Sequence, residues 1–288
     1  MEINLHNFEY EPGEVFSFSL LETHFGAQLC DLDEYHKVMT IRCRDPRHYA
    51  IYNGDLADMI LPRDEKRYTS SATVREITSR DDYLNATEEY CLEHLDPYKE
   101  RILLINKGNH EMQIEKRSGY DISSGLVAVL RDRGSPVKFG GYSGFCHLRF
   151  IAKGAKAKRG LPAETYTLFH HHGAWAGENI RVQVKRFAYQ HYGWNGFLFS
   201  HNHAQDVWPD VRFCPNIKTL ELKVLKVLFM NSGAFLRSYS GKGTIPDYAE
   251  IRAHPARFLG APLLQIKPTW GHGCKARVVA GEDFGEWQ

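Results

Sequence analysis

The chain predicts a layered α/β architecture, and three observations carry that prediction. Short apolar runs rich in β-branched and aromatic residues alternate with segments of helical period over the first two thirds. The last third adds further apolar runs that read as strands. No internal repeat, low-complexity tract or linker interrupts the 288 residues, so a single domain over 1–288 is expected. Within it the polar, charged stretch 59–100 reads as an insertion.

Each element has its own signal. "VFSFSLL" (15–21) reads as a strand, and "DLDEYHKVMTIR" (31–42) as a helix opened by Asp31 or Asp33, whose short acceptor side chains suit an N-cap. "HYAIYN" (48–53) is a second strand that turns at Gly54. "DDYLNATEEYCLEHL" (81–95) is the helix ahead of the strand "RILLIN" (101–106), and "SSGLVAVLRDRG" (123–134) is a helix closed by glycine. "GFCHLRFIAK" (144–153), "TYTLFHH" (165–171) and "GFLFS" (196–200) are further strands, with the helix "NIRVQVKRFAYQHYG" (179–193) before the last. "KTLELKVLKVLFMN" (218–231) and "PLLQIKP" (262–268) complete the strand-rich end.

Composition narrows the function classes. Hydrophobic content of 43% and charged content of 25% are those of a soluble globular protein. A formal net charge of +1 supplies no global field for nucleic acid or an anionic membrane. No apolar stretch reaches the ~18 residues of a membrane span. Six cysteines lack a CxxC pairing and no secretory signal precedes them, so reduced thiols and a cytoplasmic location are expected, with no membrane partner.

The informative feature is where the polar residues fall. "LETHFG" ends the first of these strands with Glu22 and His24, "NGDLAD" the second with Asp55 and Asp58, and "KGNHE" the third with Asn109 and His110. "TLFHHHG" (His170 to His172) and "FLFSHNH" (His201, His203) end two more. In an open α/β sheet the carboxyl ends of the strands are where ligands bind. Carboxylate, amide and imidazole groups at one rim, in this number, suit two divalent ions sharing one aspartate. Such pairs clamp the oxygens of an in-line displacement at phosphorus.

In order, spacing and strand context the series "ETHFG", "GDLAD", "GNHE", "HHHG", "SHNH" resembles the calcineurin-like metallophosphoesterases, whose motifs run DxHxG, GDxxD, GNH(D/E), H and GHxH. The later "MNSGAFLRSYSGKGTIPDYAEI" (230–251) and "GAPLLQI" (260–266) are similar to the C-terminal part of a phage and bacterial branch. The resemblance implies a layered β-sandwich core flanked by helices, and two divalent metal ions, manganese first, with iron, zinc, nickel or cobalt as alternatives. It implies Glu22, His24, Asp55 and His203 around the first ion, and Asp55, Asn109, His201 and His172 around the second. The residues themselves do not separate His172 from His170 or His171, although alternation along a strand keeps all three from facing one site.

In the same reading Asp55 bridges the ions and His110 serves as general acid or stabiliser of the leaving group. Glu111 orients the turn, and Gly108 lets the backbone turn beneath the metals. Asp58 either orients a ligand or is a first-turn acid of a helix. Two departures stand out: Glu22 where the motif has aspartate, and Ser200 where it has glycine.

The expected activity is hydrolysis of a phosphate mono- or diester, a nucleotide or other small phosphodiester, by a metal-bound hydroxide. The alternatives are a metal-dependent nuclease and a catalytically silent binding module. Candidate substrate contacts are Lys153, Lys156, Lys158 and Arg159 of "KGAKAKRG", and Arg63, Lys66, Arg67 and Tyr68 in the insertion, which would roof the metals. Trp175 and Trp208 are expected on loops beside the metals, where they stack on a base or serve as packing.

Overall fold

The computed structural model describes residues 1–58, 72–154, 163–175, 179–216, 220–239 and 257–279. Residues 62–68, 155–160 and 240–251, and with them most of the basic candidate contacts, lie outside the described residues. In chain order the elements are β1 (Glu2–Tyr10), β2 (Phe16–Leu21), α1 (Leu32–Arg42), β3 (His48–Asn53), α2 (Arg75–Thr78) and α3 (Tyr83–Leu95). After a 3-10 turn come β4 (Ile102–Asn106), α4 (Asn109–Ser118), α5 (Ile122–Asp132), β5 (Lys138–Gly141), β6 (Ser143–Ala152) and β7 (Ala163–His171). The chain continues through α6 (Ile180–Ala188), β8 (Gly196–Phe199), β9 (Val207–Asn216), β10 (Glu221–Asn231), β11 (Leu263–Thr269) and β12 (Gly273–Val279).

Two six-stranded mixed sheets result, ordered β12-β11-β2-β3-β4-β5 and β1-β6-β7-β8-β10-β9. Within the first, β2 to β5 run parallel, and within the second β7, β8 and β10 do. The sheets stack through a shared apolar layer that includes Phe8, Phe18, Leu20, Leu148, Phe150 and Leu264. Phe150 anchors it, with ring centroids 5.4 Å from Phe8 and 5.0 Å from Phe16.

Helices α1, α3 and α5 cover the other face of the first sheet through Tyr35, Met39, Leu92 and Leu126. Residues Ile77, Leu92, Leu95 and Tyr98 of the predicted insertion belong to this helical layer. Helix α6 covers the second sheet, setting Val184 and Ala188 on Phe169, Phe197 and Phe229. Strand β2 is buried at all six positions because both its faces are covered, which is why it reads as a near-continuous apolar run. Its two serines are satisfied by His48, at 3.0 Å from Ser17 and 3.1 Å from Ser19.

Asp31 is the cap of α1, its side chain accepting from the Glu34 N–H at 3.1 Å. Strand β1 breaks the rule of inward apolar residues: Asn4 and His6 are buried, while Ile3 and Leu5 face solvent. Strand β9 holds Pro209 and Pro215 and, among the described residues, pairs on one side alone, with β10, as an edge strand tolerates.

Candidate metal centre

Six strand ends meet at one rim, because the parallel trios β2-β3-β4 and β7-β8-β10 deliver their carboxyl ends to the same side of the stacked sheets. Glu22 follows β2, Asp55 follows β3, Asn109 opens the helix after β4, His172 follows β7, and His201 and His203 follow β8. Cross-sheet bonds close the rim: the His201 N–H donates to Glu22 Oε2 at 3.1 Å, and Asn53 Nδ2 donates to Ser200 Oγ at 2.7 Å.

The backbone there is strained in a particular way. Among the described residues, five that are not glycine have positive φ, and four of them are His24 (57°), Asp55 (46°), His201 (78°) and His203 (57°). A non-glycine residue held in the left-handed region costs on the order of 1–3 kcal/mol, and such residues concentrate where function over-determines the conformation. The strain coincides with the residues expected to hold metal.

One group of side chains gathers around His172. Its Nδ1 lies 2.8 Å from the carbonyl oxygen of Asn53 and so carries a hydrogen. In the neutral ring Nε2 is then a bare lone pair, yet it faces Asn109 Oδ1 at 2.9 Å and Asp55 Oδ2 at 3.1 Å. Three lone pairs turned on one another need either a proton on Nε2 or a cation between them. His201 Nδ1 approaches the same Asn109 oxygen at 2.7 Å. The second group sits beside it: Glu22 Oε1 is 3.0 Å from His24 Nε2 and 3.2 Å from His203 Nε2.

These spacings fit cations. Ligands bound at about 2.0–2.2 Å around one ion stand roughly 3 Å from one another. Glu22, His24 and His203 offer one set of donors that can hold an ion, and Asp55, His172 and His201 another. Hard carboxylate and amide oxygens mixed with imidazoles suit divalent first-row metals.

The electrostatics agree. Burial alone would raise the Glu22 carboxyl, but His203 and His24 hold it well below the usual carboxylate range. Asp55 is likewise opposed by burial and held far down, chiefly by His172 and then His110. Burial would lower His172, yet the Asp55 carboxylate raises it to about 9. His201 is lowered, first by burial and then by His172. The neighbouring imidazoles thus keep both carboxylates ionised.

Supporting residues fix this arrangement. Buried Glu111 accepts three backbone N–H groups, from Gly108 and Ala57 at 2.8 Å each and from Asp55 at 3.1 Å. It therefore orients the turn, as expected, and joins the Asp55 loop to the start of α4. Gly108 is needed for a different reason from the one its motif implies. Its φ is −104°, open to any residue, but a Cβ there would lie 2.1 Å from Asp55 Oδ1. Gly54 combines φ of 88° with a virtual Cβ 2.5 Å from His172 Nδ1.

Asp58 is the last described residue before 59–71, which lie outside the described residues. Its carboxylate is 2.6 Å from His110 Nδ1 and 3.4 Å from His24 Nδ1. Burial would lower the pKa of His110, but Asp58 first and then Asp55 raise it to about 9. The side chain of His110 is 20% exposed and that of His203 30%, so both reach solvent at the rim.

The remaining candidates separate cleanly. His170 is sealed in the protein and burial lowers it to about 3. His171 turns to the other face, against Tyr142, Trp175 and Phe187. Of the triplet, His172 alone points at Asp55. Trp208 is not on a loop: it belongs to β9, buried, with its ring stacked on Phe229 at 5.0 Å. Trp175 follows β7 and packs on Phe187 at 5.2 Å. Lys153 pairs with Glu11 at 3.3 Å.

Two contributors went unread in the sequence, Asn53 and Ser232. Asn53 is the polar last residue of β3, and Ser232 follows β10 as the sixth strand end at the rim, in "MNSG". Applying the strand-end rule to that run would have found the serine. All six cysteines are free thiols, and no helix among the described residues is long and apolar enough to cross a membrane. Searches of protein-family models and of curated proteins found nothing that matches this chain.

Proposed function

We propose that this protein is a binuclear metal-dependent phosphoesterase of calcineurin-like fold, acting on a phosphate mono- or diester such as a nucleotide or another small phosphodiester. One observation carries the reading: Glu22, His24, Asp55, Asn109, His172, His201 and His203 converge from five strand ends at ligand spacing, four of them in left-handed backbone. Asp55, which lies with His172 and His201, would be the ligand shared with the Glu22, His24 and His203 set. When bound, the two ions would activate water and withdraw charge from the phosphoryl oxygens. Hydrolysis would break the bond from phosphorus to the leaving oxygen as the bond to the water oxygen forms, the water proton passing to solvent and the leaving oxygen taking one from the protein.

The protein's own groups do the rest. His110, charged through Asp58 and Asp55, donates a proton to the leaving oxygen from Nε2, while its Nδ1 is held by Asp58 at 2.6 Å. His172 is fixed in tautomer by Asn53, so Nε2 keeps its lone pair for the cation. Glu111 and Gly108 hold Asp55 from behind.

The test is hydrolysis of bis(p-nitrophenyl) phosphate and p-nitrophenyl phosphate with added manganese, wild type beside Asp55→Asn. Activity, greater on the diester and abolished in Asp55→Asn, is the expected result. A wild type silent on both esters with manganese, iron, zinc, nickel and cobalt would count against the catalytic reading.

A further inference from the structure

Behind Glu22 runs a chain of buried polar side chains that none of the roles above employs. Asn106 Nδ2 donates to Asn53 Oδ1 at 2.8 Å, and Asn53 Nδ2 donates to Ser200 Oγ at 2.7 Å. Ser200 Oγ and Ser232 Oγ are 2.8 Å apart, and Ser232 Oγ is 3.3 Å from Glu22 Oε2. All five residues are buried. The path crosses from the first sheet, at the ends of β3 and β4, to the ends of β8 and β10 in the second.

Three acceptors stand around the Ser232 hydroxyl. Ser200 Oγ, 2.8 Å away, accepts from Asn53 and has a second lone pair for Ser232. Gly233 O lies 3.0 Å from Ser232 Oγ and Glu22 Oε2 3.3 Å, and of the three acceptors the Glu22 carboxylate is the charged one.

The two oxygens of Glu22 divide accordingly. Oε2 takes the His201 N–H at 3.1 Å and the Ser232 hydroxyl, while Oε1 faces His24 and His203. We infer that Ser232 and Ser200 are positioning residues that hold Glu22 by Oε2 and so aim Oε1 at one of the two cations. This rests on the metal reading given above. Ser200 acts through Ser232, and Asn53 serves both halves of the centre, through Ser200 on one side and the His172 Nδ1–H on the other.

The experiment is a manganese titration of the full chain by isothermal calorimetry, with bound metal counted after dialysis, for wild type, Ser232→Ala, Ser232→Thr and Ser200→Gly. Two ions are expected to bind wild type. Ser232→Ala and Ser200→Gly should each weaken one ion about 10- to 100-fold, the range for losing a partner that orients a ligand. The other ion should be unaffected, and Ser232→Thr, which keeps the hydroxyl, should bind as wild type does. A Ser232→Ala protein that holds both ions at wild-type affinity would overturn the inference while leaving the metal reading intact. Loss of both ions together would also overturn it, since that reports collapse of the rim instead of an aimed carboxylate. If Ser232→Ala does not fold, Ser200→Gly against Ser232→Thr decides by the same criteria. A wild type that binds no ion would defeat the metal reading itself, and the inference with it.

Discussion

Asp55 Oδ2 lies 3.1 Å from Nε2 of His172, an imidazole whose Nδ1 is already committed to the carbonyl oxygen of Asn53 at 2.8 Å. Two buried acceptors at that distance need either a proton or a cation between them. The first prediction follows: manganese binds tightly to wild type, and both Asp55→Asn and His172→Gln weaken it by more than about 100-fold, beyond what loss of a supporting residue costs. Calorimetric titration of the three proteins checks this.

The metal-free protein should have a stability maximum near pH 6.5. His110 and His172 are raised to about 9, so their contribution is fully present below about 6.5, the unfolded value, and is lost as pH rises through about 9. His48 and His6 are lowered by burial to about 3 and about 4, so theirs is present above about 6.5 and lost as pH falls toward those values. Each group changes the unfolding free energy by at most about 1.4 kcal/mol per pH unit. Urea unfolding in chelator from pH 4 to 10 should trace the dome, and saturating manganese should flatten its alkaline side.

Glu111→Gln should destabilise the fold by about 2–3 kcal/mol. The carboxylate takes three N–H groups with two oxygens, and an amide would turn a donor toward at least one of them. Thermal unfolding in chelator isolates the effect from metal binding.

Gly108→Ala should lose metal and destabilise the fold. Its own φ and ψ accept alanine, but the added carbon would lie 2.1 Å from Asp55 Oδ1 and 2.2 Å from the Asp55 backbone nitrogen, so the backbone of the Asp55 turn must shift. At least tenfold weaker manganese binding and a lowered Tm in chelator are the expected outcome.

His110→Asn should keep both ions and lower kcat about 100- to 1000-fold on p-nitrophenyl esters, within the usual range for a general acid. The loss should be smaller for leaving groups that need no proton. Comparing esters of graded leaving-group acidity measures this.

Much of the site was legible in the sequence because its residues sit where apolar runs stop. Strand "ILLIN" is buried throughout and "HYAIYN" at every position but Tyr49, so their ends are sharp and the polar residues beyond them stand out. Strand β1 was not legible, because Asn4 and His6 take the inward positions while Ile3 and Leu5 face out. Strand β9 is hidden in the sequence by its prolines, which is why Trp208 reads there as a loop residue. The reason for Gly108 was also out of reach, since it depends on a close approach across 53 positions of sequence to Asp55. Glu22 and Ser200 looked like two separate departures from the motifs that the chain resembles. In the fold they are joined through Ser232, which no spacing in the sequence could have linked to them.

The most direct test of the binuclear centre is a crystal structure of the manganese-soaked protein with anomalous diffraction recorded at the metal edge. Two peaks roughly 3.5–4 Å apart are predicted, the usual spacing of a two-metal site. One should contact Glu22, His24 and His203, the other Asn109, His172 and His201, with Asp55 between them. A single peak, or none at this rim in a crystal that diffracts well, would contradict the account.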